Sequence, residues 1–261
     1  MKRLPQVVIV GTGILSIGLG TVTDFSYVTG NSRDSRAIAQ SGYNPPPDVQ
    51  SAPGNRSQGG RRTIDNCPTK KDEVTALVPE TAGNVLGYTV SDHPTLWFYI
   101  PFGKERFPKF SFALRLQEES SSKSFKSVLE KPLLVELPSS PGFTAVQIPA
   151  NLVKIGNRYR WSFQFVCNGE EADGPRGWIE RIAKPSALAQ VGKLPPVAQA
   201  DRYIQEKIWY DALTVLGNQR LANPNDQAAS DYWSKLLKDI GLDNLANLSS
   251  SEKAKAVYEP K

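Results

Sequence analysis

Val90-Ser91-Asp92-His93-Pro94-Thr95-Leu96-Trp97-Phe98-Tyr99-Ile100-Pro101 is a polar turn that runs into an unbroken apolar, aromatic stretch and stops on a proline. A run of this length bounded by turn residues predicts a strand buried on both faces, because successive side chains point to opposite sides of a sheet and here both sides are apolar. It is the natural central strand of a β-rich fold. The chain around it carries the same signature. Candidate strands at 74–78, 85–90, 96–100, 109–117, 124–130, 133–137, 145–149, 158–167 and 177–182 alternate with turns such as Gly103-Lys104, Glu119-Ser120-Ser121-Ser122 and Ile155-Gly156-Asn157. Phe110, Phe112, Leu114 and Leu116 alternate with Ser111, Ala113, Arg115 and Gln117, a period of two. Tyr159, Trp161, Phe163, Phe165 and Cys167 likewise share one face. The fold class that follows is mainly β: an immunoglobulin-like antiparallel β-sandwich over 67–194.

After Pro195-Pro196 the period lengthens. Ile204, Ile208, Ala212 and Val215 recur at helical spacing, with Asp201 placed to cap the start. A second helix follows from Asn225 or Asp226 to a stop at Gly241, with Ala229, Trp233, Leu236, Leu237 and Ile240 on its apolar side. Asn223-Pro224-Asn225 turns one into the other, giving a C-terminal helical hairpin over 195–242 that resembles one tetratricopeptide-type unit. A single unit cannot bury its own face. The hairpin is therefore expected to pack on the sandwich, with Trp209, Tyr210 and Trp233 as a possible interaction surface. The polar stretch 243–261 reads as a flexible tail.

At the other end, Lys2-Arg3 precede an uncharged apolar run from Val7 to Gly20, which is short for a comfortable bilayer span. Residues 1–28 read as a signal peptide or N-terminal membrane anchor, so export to the periplasm or beyond is expected. Gly11-Thr12-Gly13 is no Rossmann turn, since Ser16 stands where the third glycine is needed and no downstream acid is correctly placed. Residues 29–66, rich in Ser, Asn, Gly, Pro and Arg, read as a disordered linker. Two cysteines in an exported chain suggest one bridge, Cys67 to Cys167; a loop of about 100 residues is worth ~4.7 kcal/mol on the chain-entropy account.

The formal charge of +5 divides unevenly. Residues 1–71 hold 9 Lys/Arg against 4 Asp/Glu, leaving 22 of each sign for 72–261. The folded part is neutral and has no basic footprint, which argues against nucleic acid as a partner. One histidine and two cysteines are too few for a zinc site, so neither metal nor cofactor is expected.

Leu77-Val78-Pro79-Glu80, Thr89-Val90-Ser91, Pro94 through Pro101, Tyr159-Arg160-Trp161-Ser162-Phe163, Gly177-Trp178-Ile179 and Ile208-Trp209-Tyr210-Asp211-Ala212-Leu213 form an ordered set. Together they resemble the cyanobacterial family catalogued as domain of unknown function 928, over about Val74 to Leu242. The resemblance implies an exported protein without an assigned reaction and offers no catalytic residues to carry over.

Candidate chemistry therefore has to come from the residues. Asp92-His93 is no triad by sequence adjacency, since a triad converges from separate positions; a polar turn entering the strand accounts for it. Glu170, Glu171 and Asp173 form an acidic loop that could serve glycoside hydrolysis, although a solvated loop explains it as well. Asp211 sits at an apolar helix start, where it bonds a backbone group or an arginine, Arg181 being a candidate. Trp97, Trp161, Trp178 and Tyr159 would make a sugar-stacking platform if exposed, and core if not. The expectation is an exported, non-catalytic interaction or envelope-associated module. Its partner would be a protein or cell-envelope component, and membrane contact would come only through the N-terminal segment. The alternative is a carbohydrate-active or hydrolytic enzyme using Asp92, His93, Glu170 or Asp173.

Overall fold

The computed structural model describes residues 42–58, 68, 72–107, 110–120, 122–167, 170–248 and 256–257, all within one unit that spans Gln40–Lys261. Its strands are β1 (Ser57–Gln58), β2 (Val74–Ala76), β3 (Glu80–Thr81), β4 (Asn84–Thr89), β5 (Thr95–Ile100), β6 (Phe110–Glu119), β7 (Phe125–Ser127), β8 (Leu133–Val135), β9 (Gly142–Gln147), β10 (Arg158–Cys167), β11 (Glu170–Ala172), β12 (Arg176–Arg181) and β13 (Ala256–Val257). Three helices follow β12: α1 (Pro196–Gln205), α2 (Trp209–Ala222) and α3 (Gln227–Asp239). The chain is mainly β with a C-terminal helical region.

The strands form two curled sheets. One runs β1-β2-β5-β9; the other runs β13-β8-β6-β10-β12-β4-β3, with β7 on β6 and β11 on β10. All pairs are antiparallel except β12 with β4, which is parallel and departs from the all-antiparallel expectation. The opening stretch is β5, flanked by β2 and β9 and buried except at Tyr99, which is half-buried. Its Phe98 stacks on Phe163 of β10 at 4.1 Å and meets Trp161 edge-on at 5.9 Å, so the two sheets share one core. Alternation along β10 is complete: Tyr159, Trp161, Phe163, Phe165 and Cys167 are buried and the residues between them half-buried.

The opposite face of the small sheet meets the helices. Trp97 packs edge-on against Trp233 at 5.5 Å, and Phe143 meets the same indole at 5.2 Å. The approach is close because Gly217 offers no Cβ; one built there would lie 2.3 Å from Trp97 Cζ2. Gly87 of β4 does the same for Tyr210, whose ring atom Cε2 would stand 2.6 Å from a Cβ.

The single long helix expected across Ile204 to Val215 is two helices. Lys207 adopts a φ of 63°, Lys207 N donates to Ile204 O at 3.0 Å and Ile208 N donates to Tyr203 O at 2.8 Å. This is a Schellman ending with lysine where glycine is usual, and Ile208 packs with Tyr203 as the motif's apolar contact. Asp201 consequently lies inside α1, whose N-cap is Pro195. Asp226 does cap α3, accepting from Ala229 N at 3.0 Å, and Gly241, at φ 72°, ends it with a second Schellman pair.

Two segments expected to be loose are packed where they are described. Within the linker of 29–66, residues 42–58 form a strap. Val49 and Ala52 bury against Leu86 and Trp178, Trp178 Nε1 donates to Pro53 O at 3.0 Å, and β1 pairs with β2. Arg158 bonds Asp48 and Ser51 on the strap and Glu180 beside it, and Arg56 donates to Ile240 O at 2.6 Å at the end of α3. In the tail, Leu245 and Ala246 are buried and β13 pairs with β8.

Candidate functional site

A cleft of about 790 Å³ lies on one side of α2. Four parts of the chain build it: the turn from Thr89 to Thr95, Leu133 of β8, the end of β9 with Gln147 and Pro149, and the helices, which contribute Tyr203 from α1 and Asp211, Thr214 and Asn218 from α2. Spacings of three and four place those last three side chains on one stripe of α2. The other side of the helix sends Trp209, Tyr210, Leu213 and Leu216 into the core.

Among the described residues Asp211 is the one carboxylate lining the cleft, and neither lysine nor arginine lines it. Its Oδ2 accepts from Thr89 Oγ1 at 2.6 Å and from Val90 N at 3.2 Å. Burial pushes its carboxyl up to about 6; the bonds from Thr89 and Val90 and the field of Arg181 pull the other way. Of the two partners expected for Asp211, the backbone group is the one it bonds. Arg181 donates its Nη1 to Val153 O at 2.8 Å and reaches Asp211 only through its field. Tyr203, Asn218 and Thr95 also line the cleft, and their side chains form no hydrogen bond among the described residues. Gln147 Nε2 donates to His93 O at 3.4 Å, which leaves its Oε1 free to accept.

His93 stands exposed at the rim, with Nδ1 bonded to the adjacent Asp92, whose carboxyl is held below its usual value chiefly by that bond. The acidic segment is not a loop throughout, since Glu170–Ala172 is β11, paired back onto the Cys167 end of β10; Asp173 after it is exposed. Asp92 feels Arg181, which follows Glu180, the partner of Arg158 at the other end of β10. Ala172 pairs with Phe165, so Asp173 stands six residues along β10, roughly 20 Å, from the Arg158 end that lies near Asp92 and His93. These candidates do not converge on one centre.

The aromatic candidates fall on the core side. Trp97, Trp161, Trp178 and Tyr159 are at most 3 % exposed and make no stacking platform. Trp209, Tyr210 and Trp233 were the expected interaction surface; at 0, 2 and 0 % exposure they are interior. The reason is the small sheet, which supplies the apolar face that the helices needed. Trp209 Nε1 donates to Leu77 O at 2.8 Å, and Trp161 Nε1 donates to Tyr210 Oη, which donates on to Trp178 O, both at 3.0 Å. Cys67 lies outside the described residues; its expected partner Cys167 is buried at the end of β10. Among the described residues no group of three His, Cys, Asp or Glu side chains is placed to hold a metal ion, and no helix is long and apolar enough to cross a membrane.

Sequence reasoning reached Asp211 and His93 but missed Tyr203, Thr214, Asn218 and Gln147. The available signal was the polar stripe Asp211, Thr214, Asn218 in an otherwise apolar helix.

No curated protein matches the chain. A family model, Domain of Unknown Function (DUF928), matches residues 57–250, the span that holds both sheets apart from β13, the helices and the described lining of the cleft. With most of its length so matched, the chain belongs to the DUF928 family.

Proposed function

We propose that this protein is an exported, non-catalytic binding module of the cell envelope, periplasmic or extracellular, and that it meets its protein or wall partner through the cleft beside α2. One observation carries the reading. The carboxylate in the cleft is committed to Thr89 and Val90, whereas Tyr203, Asn218 and Thr95 line the same cleft with hydrogen-bonding groups left over. Spare polar groups in a concavity are what a binding site holds and a closed core does not.

Export rests on Lys2-Arg3 and the apolar run after them. Membrane contact through that segment alone, a bridge from Cys67 to Cys167 and a cyanobacterial source belong to the same reading. So does an immunoglobulin-like fold, supported by β2-β5-β9 facing β8-β6-β10-β12, with β4 added in parallel beyond β12 and β3 beyond it. A pull-down from envelope extract with the full-length chain and its Asn218→Trp variant tests the function. Loss of captured partners in the variant is the expected result; identical capture by both rules the cleft out. A non-reducing peptide map that finds both thiols free would remove the bridge.

Hydrolysis is the second reading, favoured by the bonded pair Asp92–His93 at the rim of the cleft that Asp211 lines. Turnover of glycoside or ester substrates that disappears in His93→Ala would establish it in place of simple binding.

A further inference from the structure

We infer that the cleft takes an uncharged saccharide, a short run of sugar rings such as a wall or capsule polymer presents, with Tyr203 and Asn218 as the principal recognition groups. The inference rests on the cleft being the module's binding site and adds the chemistry of the ligand.

Charge narrows the choice first. Among the described residues the walls contain Asp211 and no lysine or arginine. A phosphate, sulfate or carboxylate entering there would be brought toward a carboxylate, with Arg181 felt only from outside the described lining, which a partly desolvated site penalises. Nucleotides, phospholipid headgroups and acidic polymers are therefore poor occupants. A cation gains less than it would from a free carboxylate, because Asp211 Oδ2 is already engaged by Thr89 and Val90.

Hydrogen bonding narrows it further. The Tyr203 hydroxyl, the Asn218 amide and the Thr95 hydroxyl are unpaired among the described residues, and Gln147 keeps Oε1 free. These groups offer donors and acceptors side by side, the pattern that sugar hydroxyls match because each both donates and accepts. A purely apolar ligand would cover them without pairing them, at the cost of their hydration. Sugar rings also have C–H faces, and the half-buried ring of Tyr203, with Pro94, Pro149 and Val215, provides apolar surface to receive them. The volume of about 790 Å³ falls within the range of small-ligand sites.

Calorimetric titration of the full-length protein tests this. The ligands are neutral tetrasaccharides (maltotetraose, cellotetraose and N-acetylated chitotetraose), with tetragalacturonate as an anionic control of similar size. At least one neutral tetrasaccharide should bind, the anion should bind at least tenfold more weakly, and Tyr203→Phe and Asn218→Ala should each weaken the neutral ligand by about tenfold, roughly the loss of one well-made hydrogen bond. Unchanged melting temperatures in both variants would show that the loss is local. Failure of all three neutral sugars, equal or tighter binding of the anion, or wild-type affinity in both variants would overturn the assignment. If the sugars fail while Asn218→Trp still abolishes envelope capture, the saccharide falls and the binding cleft stands. If that variant captures normally, both fall together.

Discussion

The two sides of α2 carry the same kinds of side chain to opposite ends. Toward the sheets, the polar atoms of its aromatic residues are matched: Trp209 Nε1 finds Leu77 O, and Tyr210 Oη links Trp161 to Trp178. On the cleft side, Thr214 is consumed by Tyr210 O and Trp97, but Asn218 keeps its groups, as does Tyr203 opposite. A large aromatic residue on a helix is therefore poor evidence for a partner surface when a sheet of the same chain needs covering. Polar groups left over in a concavity are better evidence.

If the inner side is architecture, removing it should be costly. Ending the chain after Leu194 strips all three helices from the small sheet and exposes Trp97 and Phe143; the expected loss exceeds the ~5–15 kcal/mol that stabilises an ordinary domain, so thermal scans should show no cooperative transition. A truncated chain that unfolds cooperatively would make the helices an appendage. Trp233→Ala empties a fully buried site and should cost about 3–5 kcal/mol in urea unfolding.

Asp211→Asn tests the border between the two sides. The folded carboxyl titrates at about 6, against 3.8 for the ordinary group, so the native state holds the proton more tightly than the unfolded chain does. The associated stability is full below pH ~4 and is lost as pH rises through ~6, a difference of roughly 3 kcal/mol. Arg181, Thr89, the Val90 N–H and Tyr203 are the groups around it and stay the same in the variant. Unfolding between pH 4 and 8 should therefore show a shallower decline in Asp211→Asn, with the variant the more stable protein at pH 8. An unchanged slope would mean that another group sets it.

Gly217→Ala drives a methyl group into Trp97 and should cost about 1–3 kcal/mol by the same urea measurement. The smallest effect belongs to Asn218→Ala. With no bond to lose, it should stay within ~0.5 kcal/mol of the parent in stability while affecting binding.

Most of the sheet residues were legible because period-two alternation is a direct consequence of the pleat; β10 buries every second residue as its sequence predicts. Pairing was less legible, since nothing local to β4 or β12 announces that they run parallel. The break between α1 and α2 was hidden because its left-handed position holds Lys207, where glycine would have marked it. The strap at 42–58 escaped composition because much of its hold on the body comes from main-chain groups, Pro53 O and the bridge of Asn55 to Arg176 among them, beside a few scattered apolar anchors, Tyr43 against Trp209 and Val49 with Ala52. The helices displayed their apolar residues plainly, but whether those meet a partner or the chain's own sheet depends on β5 and β9, which end at Ile100 and Gln147, well before α1 begins at Pro196. Of the cleft, Asp211 and His93 could be singled out, while Gln147 and Tyr203 gained meaning only when the fold brought them together.

The most direct test is a map of backbone amide chemical shifts during addition of the best-binding neutral tetrasaccharide. Perturbations should centre on Ser91, His93, Gln147, Tyr203 and Asn218 and fade toward Trp209 and Trp233. Perturbations centred instead on the face of the large sheet around Phe125 and Arg160, or none at saturating ligand, would contradict the account.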